Sequence, residues 1–182
     1  MNFKAFIILT MLVLASTTVV FSQQSKIEVG GAIKFDINST SSSASNSAHD
    51  FTGLNARMYY YLSDRFRVVP NISVHLPYED SLYGYDFKIK LTTYNAQVHY
   101  LFDFFNSPNL KPYVLGGLSY NHLTQDGLQG VVQKETANDA SLSLGAGVDY
   151  QVKFGKLFFE VQDMLGDYDP FVIEFGVMFS IK

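Results

Sequence analysis

The sequence predicts an all-β chain, an eight-stranded antiparallel up-and-down barrel. Three observations lead there. From residue 26 onward apolar and polar side chains alternate with period two rather than 3.6, eight such segments follow one another, and long polar connections alternate with tight ones. No segment after residue 22 reads as an amphipathic helix of ten residues, so helices do not interrupt the meander.

The segments justify themselves in order. In residues 26–37, Ile27, Val29, Gly31, Ile33, Phe35 and Ile37 oppose Lys26, Glu28, Lys34 and Asp36. Residues 52–62 set Leu54, Ala56, Met58, Tyr60 and Leu62 against Gly53, Asn55, Arg57, Tyr59 and Tyr61, and residues 66–76 repeat the pattern with Phe66, Val68, Pro70, Ile72 and Val74 against Arg67, Asn71, Ser73 and His75. Residues 87–102 alternate with a phase change near Thr92 and Thr93, which either a β-bulge or an extension beyond the membrane would produce. Residues 112–121, 140–152, 157–164 and 171–182 complete the eight. In the last, Phe171, Ile173, Phe175, Val177, Phe179 and Ile181 share one face. Between them lie long connections at 38–50, 77–86 and 124–139, a short loop at 165–170, a moderate turn at 103–109, and tight turns at 63–65 and 153–156. Nothing marks a domain boundary.

Alternation alone admits two orientations: a secreted lipocalin-like barrel with its apolar face inside, or a transmembrane barrel with that face toward lipid. Glycines decide between them. Gly30, Gly53, Gly117, Gly145, Gly147 and Gly176 fall on the polar face, where a crowded lumen needs missing side chains and a solvated surface does not. Aromatics of the apolar face (Tyr60, Tyr100, Phe102, Tyr120, Tyr150) gather near segment ends, as membrane girdles do. Trp is absent, so no Gly-x-Trp lipocalin signature exists. The prediction is therefore a transmembrane barrel with both termini on the periplasmic side.

The run Lys111-Pro112-Tyr113-Val114-Leu115-Gly116-Gly117-Leu118-Ser119-Tyr120, the run Leu144-Gly145-Ala146-Gly147-Val148-Asp149-Tyr150 and the alternating final segment resemble the small OmpA/OmpX-like outer-membrane β-barrels of Gram-negative bacteria, over nearly all of residues 24–182. The resemblance implies residence in the bacterial outer membrane as a monomer, contact with outer-membrane lipid and lipopolysaccharide, and insertion by the barrel assembly machinery. The terminal Lys182 departs from the aromatic end common in that family, with Phe179 and Ile181 as stand-ins. Activity is not implied.

Residues 1–22 open with Met1-Asn2-Phe3-Lys4 and continue as a charge-free apolar run, a secretory signal peptide cut before Gln23, which leaves 23–182 as the barrel domain. Thirteen basic against 17 acidic residues give a net charge of −4, which excludes nucleic acid as a partner. The absence of Cys excludes a disulfide framework, a thiolate metal site and a cysteine nucleophile. The four histidines form no metal-ligand spacing, and no cofactor is expected.

The chemistry therefore concentrates in the lumen, which eight strands leave narrow enough to be plugged by side chains. Seven charged residues are expected to point inward: Glu28, Lys34, Arg57, Arg67, Asp149, Glu160 and Glu174. Lys34 should pair with Glu174, Arg57 with Glu28 or Glu160, and Arg67 with Asp149. A barrel of this kind can instead be a lipid A-modifying hydrolase or acyltransferase, for which Ser73, His75 and Glu79 or Asp80 are the candidates at the outer rim. Asp80-Ser81-Leu82 resembles a short glycosylation acceptor at Ser81. Tyr78, Tyr83, Tyr85 and Tyr168 with Glu79, Asp80, Asp86, Asp167 and Asp169 form an acidic, aromatic outer rim. The preferred reading is a non-enzymatic barrel serving envelope integrity, adhesion or ligand capture.

Overall fold

The computed structural model describes residues 26–37, 50–82, 85–103, 107, 109–126, 135–166 and 170–181. The expected signal peptide lies outside the described residues. The strands are β1 (Ile27–Ile37), β2 (Phe51–Tyr61), β3 (Phe66–His75), β4 (Tyr78–Leu82), β5 (Tyr85–Leu101), β6 (Leu110–Asp126), β7 (Glu135–Val152), β8 (Gly155–Leu165) and β9 (Phe171–Ile181). All pairings are antiparallel, in the order β3-β2-β1-β9-β8-β7-β6-β5, and a β3–β5 pairing closes the ring. Eight strands make the barrel.

The ninth, β4, is an addition. Its pairing with β5 runs from Tyr78↔Ile89 to Leu82↔Tyr85, above the point where β3 and β5 part at Val74↔Thr92. Leu76 and Pro77 break the edge between them, and Pro77 brings no N–H to a ladder. The sequence placed loops at 77–86 and 124–139; the structure instead prolongs the hairpins there. β5 and β6 have 17 residues and β7 has 18, whereas the other barrel strands have 10 or 11. Since about ten residues cross an outer membrane, roughly seven per strand, or about 20 Å, stand beyond it.

The phase change at Thr92 and Thr93 is not a bulge. Pairing of β5 with β6 is unbroken from Lys88↔Asp126 to Leu101↔Tyr113, and Leu91, Thr93, Asn95, Gln97, His99 and Leu101 all stay buried on the inner face. Only the chemistry switches: above Thr92 the strand has left the apolar band, and its outer face carries Lys88 and Lys90. Of the two explanations, the extension is the one observed.

Burial is inverted relative to a water-soluble barrel. Arg67, Lys34, Glu160 and Glu174 are fully buried, whereas Leu54 and Leu118 are 67% and 68% exposed on the outside. Such a surface is stable against lipid and not against water. Aromatic pairs mark its borders, Phe66–Tyr100 and Tyr100–Phe102 (5.0 and 4.9 Å between centroids) at the short-turn end and Tyr94–Tyr120 (6.5 Å) at the other. Crowding within explains the inward glycines: a Cβ on Gly147 would stand 2.6 Å from the Tyr113 ring, and one on Gly176 would stand 2.1 Å from the Gly31 carbonyl oxygen.

Replacing Phe175 or Leu118, both on the lipid face, with Arg is expected to lower stability by about 2–4 kcal/mol near the bilayer midplane. Denaturant titration of the barrel in lipid vesicles measures this. Harmless replacements at both positions would contradict the assigned facing.

Candidate functional site

Charged side chains fill the lumen in layers, and each layer ties together strands remote in sequence. At the short-turn mouth, Glu28 of β1 takes Lys26 at 2.8 Å and Lys156 of β8 at 2.7 Å. The Tyr61 hydroxyl donates to Glu28 at 3.1 Å. Lys156 also lies 3.6 Å from Asp149 of β7, which holds Arg67 of β3 through both carboxylate oxygens.

Above this mouth the guanidinium carbon of Arg67 stands 3.7 Å over the Tyr59 ring and 4.4 Å from the Tyr113 ring centre. The His99 ring stacks on Tyr113 at 4.8 Å and 13°. Arg67 Nε donates to His99 Nδ1 at 3.1 Å, so that nitrogen presents its lone pair and Nε2 carries the hydrogen toward Gln97 Oε1 at 3.4 Å. Cation, aromatic ring and imidazole thus pack face to face, which leaves little room for water across the lumen.

The next layer centres on Arg57 of β2. Its Nη1 is 2.7 Å from Glu160 of β8, its Nη2 bonds Glu174 of β9, and its Nε donates to Asn55 at 3.0 Å. Glu160 and Glu174 are direct cross-strand neighbours, so two like charges would face one another without the guanidinium fork between them. Glu160 accepts further bonds from the Tyr113 hydroxyl at 2.7 Å and Gln162 at 3.1 Å. Gln97 then reaches Gln162 at 2.8 Å, and Asn55, Asn71, Ser73 and Asn95 bond one another above it.

Nearer the outer end, Asp36 lies 3.3 Å from Lys34 and 2.9 Å from His75 Nε2, while His75 Nδ1 faces the Leu91 carbonyl at 3.2 Å. The inner wall of β5, β6 and β7 at this height is of another kind. The side-chain polar atoms of Thr93, Ser119, Asn121, Ser141 and Ser143 are buried without a protein hydrogen-bond partner.

Among the seven expected inward charges, Arg67 meets Asp149, and Arg57 meets Glu160 rather than Glu28. Lys34 does not pair with Glu174, although the two are cross-strand neighbours. Asp36, on the same face two residues above, takes the ammonium, and Arg57 takes Glu174 because one planar fork can hold both glutamates at once. On the sequence alone Asp36, Tyr59, Tyr61 and His99 fall on the polar face without being named as members of the charge network, and Lys156 and Tyr113 are not placed there. The period-two rule could have found them: Lys156 shares the parity of Glu160, and Asp36 that of Lys34.

The hydrolase candidates are not arranged as nucleophile and base. Ser73 Oγ accepts from Asn55, and both His75 nitrogens face other partners, Asp36 and the Leu91 carbonyl. Side chains of Glu79, Asp80 and Ser81 lie outside the described residues; the backbone of Ser81 sits in β4 opposite Asp86. Among the described residues no three His, Asp or Glu side chains gather as a metal site.

Arg57→Ala should destabilise the barrel by about 3–5 kcal/mol, because it leaves Glu160 and Glu174 buried and facing each other. Adding Glu160→Gln and Glu174→Gln should recover most of the loss. Denaturation of the wild type, Arg57→Ala and the triple variant in one lipid composition checks both; a triple variant no better than Arg57→Ala would refute the shared pairing.

Comparison with known proteins accords with this geometry. Neisserial surface protein A superposes with a TM-score of 0.60 at 19% identity, over 88% of this chain and 99% of that one. The N-terminal β-barrel domain of Pseudomonas aeruginosa OprF gives 0.56 at 18% identity, covering 87% and 100%. The Yersinia pestis attachment invasion locus protein Ail, in complex with the heparin analogue sucrose octasulfate, gives 0.58 at 16% identity, covering 86% and 97%. Identities this low carry the fold alone. A comparison with curated protein sequences finds no match. The family profile described as outer membrane protein beta-barrel domain matches residues 6–161. This chain is a member of that family, an eight-stranded β-barrel of the bacterial outer membrane.

Proposed function

We propose that the chain is a non-enzymatic anchor whose sealed lumen carries a projecting sheet for adhesion or ligand capture at the cell surface. The observation that carries this reading is the length of β5, β6 and β7, which with β4 make a four-stranded sheet beyond the membrane. Strands that only span have no use for the extra turns of ladder, and ligand-binding residues concentrate on segments displayed by a rigid scaffold. Residues 1–22 serve as the export signal, 23–182 form a monomer inserted by the barrel assembly machinery, and the lipid face meets lipopolysaccharide.

Charge narrows the ligand. The connections and strand extensions at the outer end carry nine acidic residues (Asp50, Glu79, Asp80, Asp86, Asp126, Glu135, Asp139, Asp167, Asp169) against Lys88, Lys90 and Lys134. That sign disfavours a polysulfated glycan of the kind bound by Ail and favours a cationic partner or one bridged by divalent cations.

Cells displaying the protein should adhere to polylysine-coated surfaces more than to heparin-coated ones, with adhesion falling as salt rises. Deleting residues 78–87 should abolish the adhesion while the barrel still shifts on a gel between unheated and boiled samples. Adhesion unchanged by the deletion, or turnover of labelled lipid A by the purified barrel, would overturn this reading. Planar bilayers should show no steady conductance from the wild type, and large stable channels would contradict a sealed lumen.

A further inference from the structure

The short-turn mouth holds a cavity of about 210 Å³ between Lys26, Tyr61, Lys111, Asp149, Gln151 and Lys156, floored by the 62–64 turn. Tyr61 and Asp149 on its wall also contact Arg67, so the cavity ends where the sealed layer begins. It faces the periplasm.

Carboxylates around this cavity are outnumbered. Glu28 is shared by Lys26 and Lys156, and Asp103 by Arg65 at 3.5 Å and Lys111 at 3.8 Å. Asp149 holds Arg67 with Lys156 beside it. Among the described residues, with Asp64, four carboxylates meet five cations, which leaves one positive charge in excess. Two of the ammonium groups are placed by an aromatic ring, which positions charge without neutralising it: Lys26 and Lys156 stand 5.5 and 5.1 Å from the Tyr61 centroid. Lys26 and Lys111 keep half of their side chains exposed and can turn toward an incoming group.

We propose that this mouth binds one singly charged oxyanion, a carboxylate or a phosphodiester, entering from the periplasmic side. A monoanion matches the single excess charge. A polyanion would meet Asp64 and Asp149, and the cavity is smaller than the 300–1,000 Å³ typical of sites for drug-sized ligands. The chemistry is shared by two sources, a soluble periplasmic carboxylate and the headgroup of an inner-leaflet phospholipid.

The test titrates the folded barrel, in uncharged maltoside micelles, with acetate and separately with dimethyl phosphate, following the lysine ammonium and Tyr61 amide resonances. Saturable one-site binding is expected in the wild type. Lys26→Gln and Lys111→Gln should each weaken it about tenfold, the loss of one charge-assisted contact. Both substitutions lie at positions with half-exposed side chains, and gel mobility before and after boiling shows that each variant still folds. Repeating the acetate titration in phospholipid nanodiscs separates the sources: binding suppressed by the bilayer identifies the headgroup, and unchanged binding identifies a soluble carboxylate. Absence of saturation in micelles, or equal affinity in the Lys26→Gln/Lys111→Gln double variant, would overturn the proposal.

Discussion

Backbone hydrogen bonding in a medium without water is the constraint on which this structure rests. An open sheet edge in hydrocarbon leaves N–H and C=O groups unpaired at a cost of several kcal/mol each, so the sheet must close on itself. Closure is made by β1 and β9, in continuous register from Ile27↔Ile181 to Ile37↔Phe171, and by β3 with β5. Once eight strands close, the lumen is too narrow for a channel and too crowded for large side chains on every inward position. Gly147 beneath Tyr113 and Gly176 against β1 are consequences of that crowding.

Closure also decides where polarity goes. With lipid outside, the outward residues are mostly apolar, Asp163 being an exception, and most polar residues of the alternation point into the lumen, where the charged ones find partners. The pairs are long-range in sequence: Lys156 with Glu28, Arg67 with Asp149 and Arg57 with Glu160 each join strands two or three places apart around the ring. A register slip of one residue would turn these charges toward lipid, so the pairs and the alternation specify the same register. Among the described residues of the lower and middle layers, the Tyr59 hydroxyl and Asn95 Oδ1 lack a hydrogen-bond partner, and near the outer end Thr93, Ser119, Asn121, Ser141 and Ser143 lack one as well. The charge-paired layers therefore lie toward the short-turn side.

The two ends differ in kind. Short connections and a cluster rich in lysine and arginine lie at the short-turn end, while long strands and acidic connections build the other one.

Strand number, facing and the inward set Glu28, Lys34, Arg57, Arg67, Asp149, Glu160 and Glu174 were legible in the sequence, because side chains alternate strictly along a strand and lipid enforces the sorting. The partners of those charges were not all legible. Glu174 lies beside Lys34 in register yet bonds Arg57, since the length and fork of an arginine reach across a lumen whose width only closure sets. The projecting sheet was hidden for a different reason: beyond the membrane the apolar face loses its lipid, alternation fades into polar residues at 77–86 and 124–139, and those read as loops. There the ladder continues because neighbouring strands already stand in register, a fact that tertiary structure alone holds.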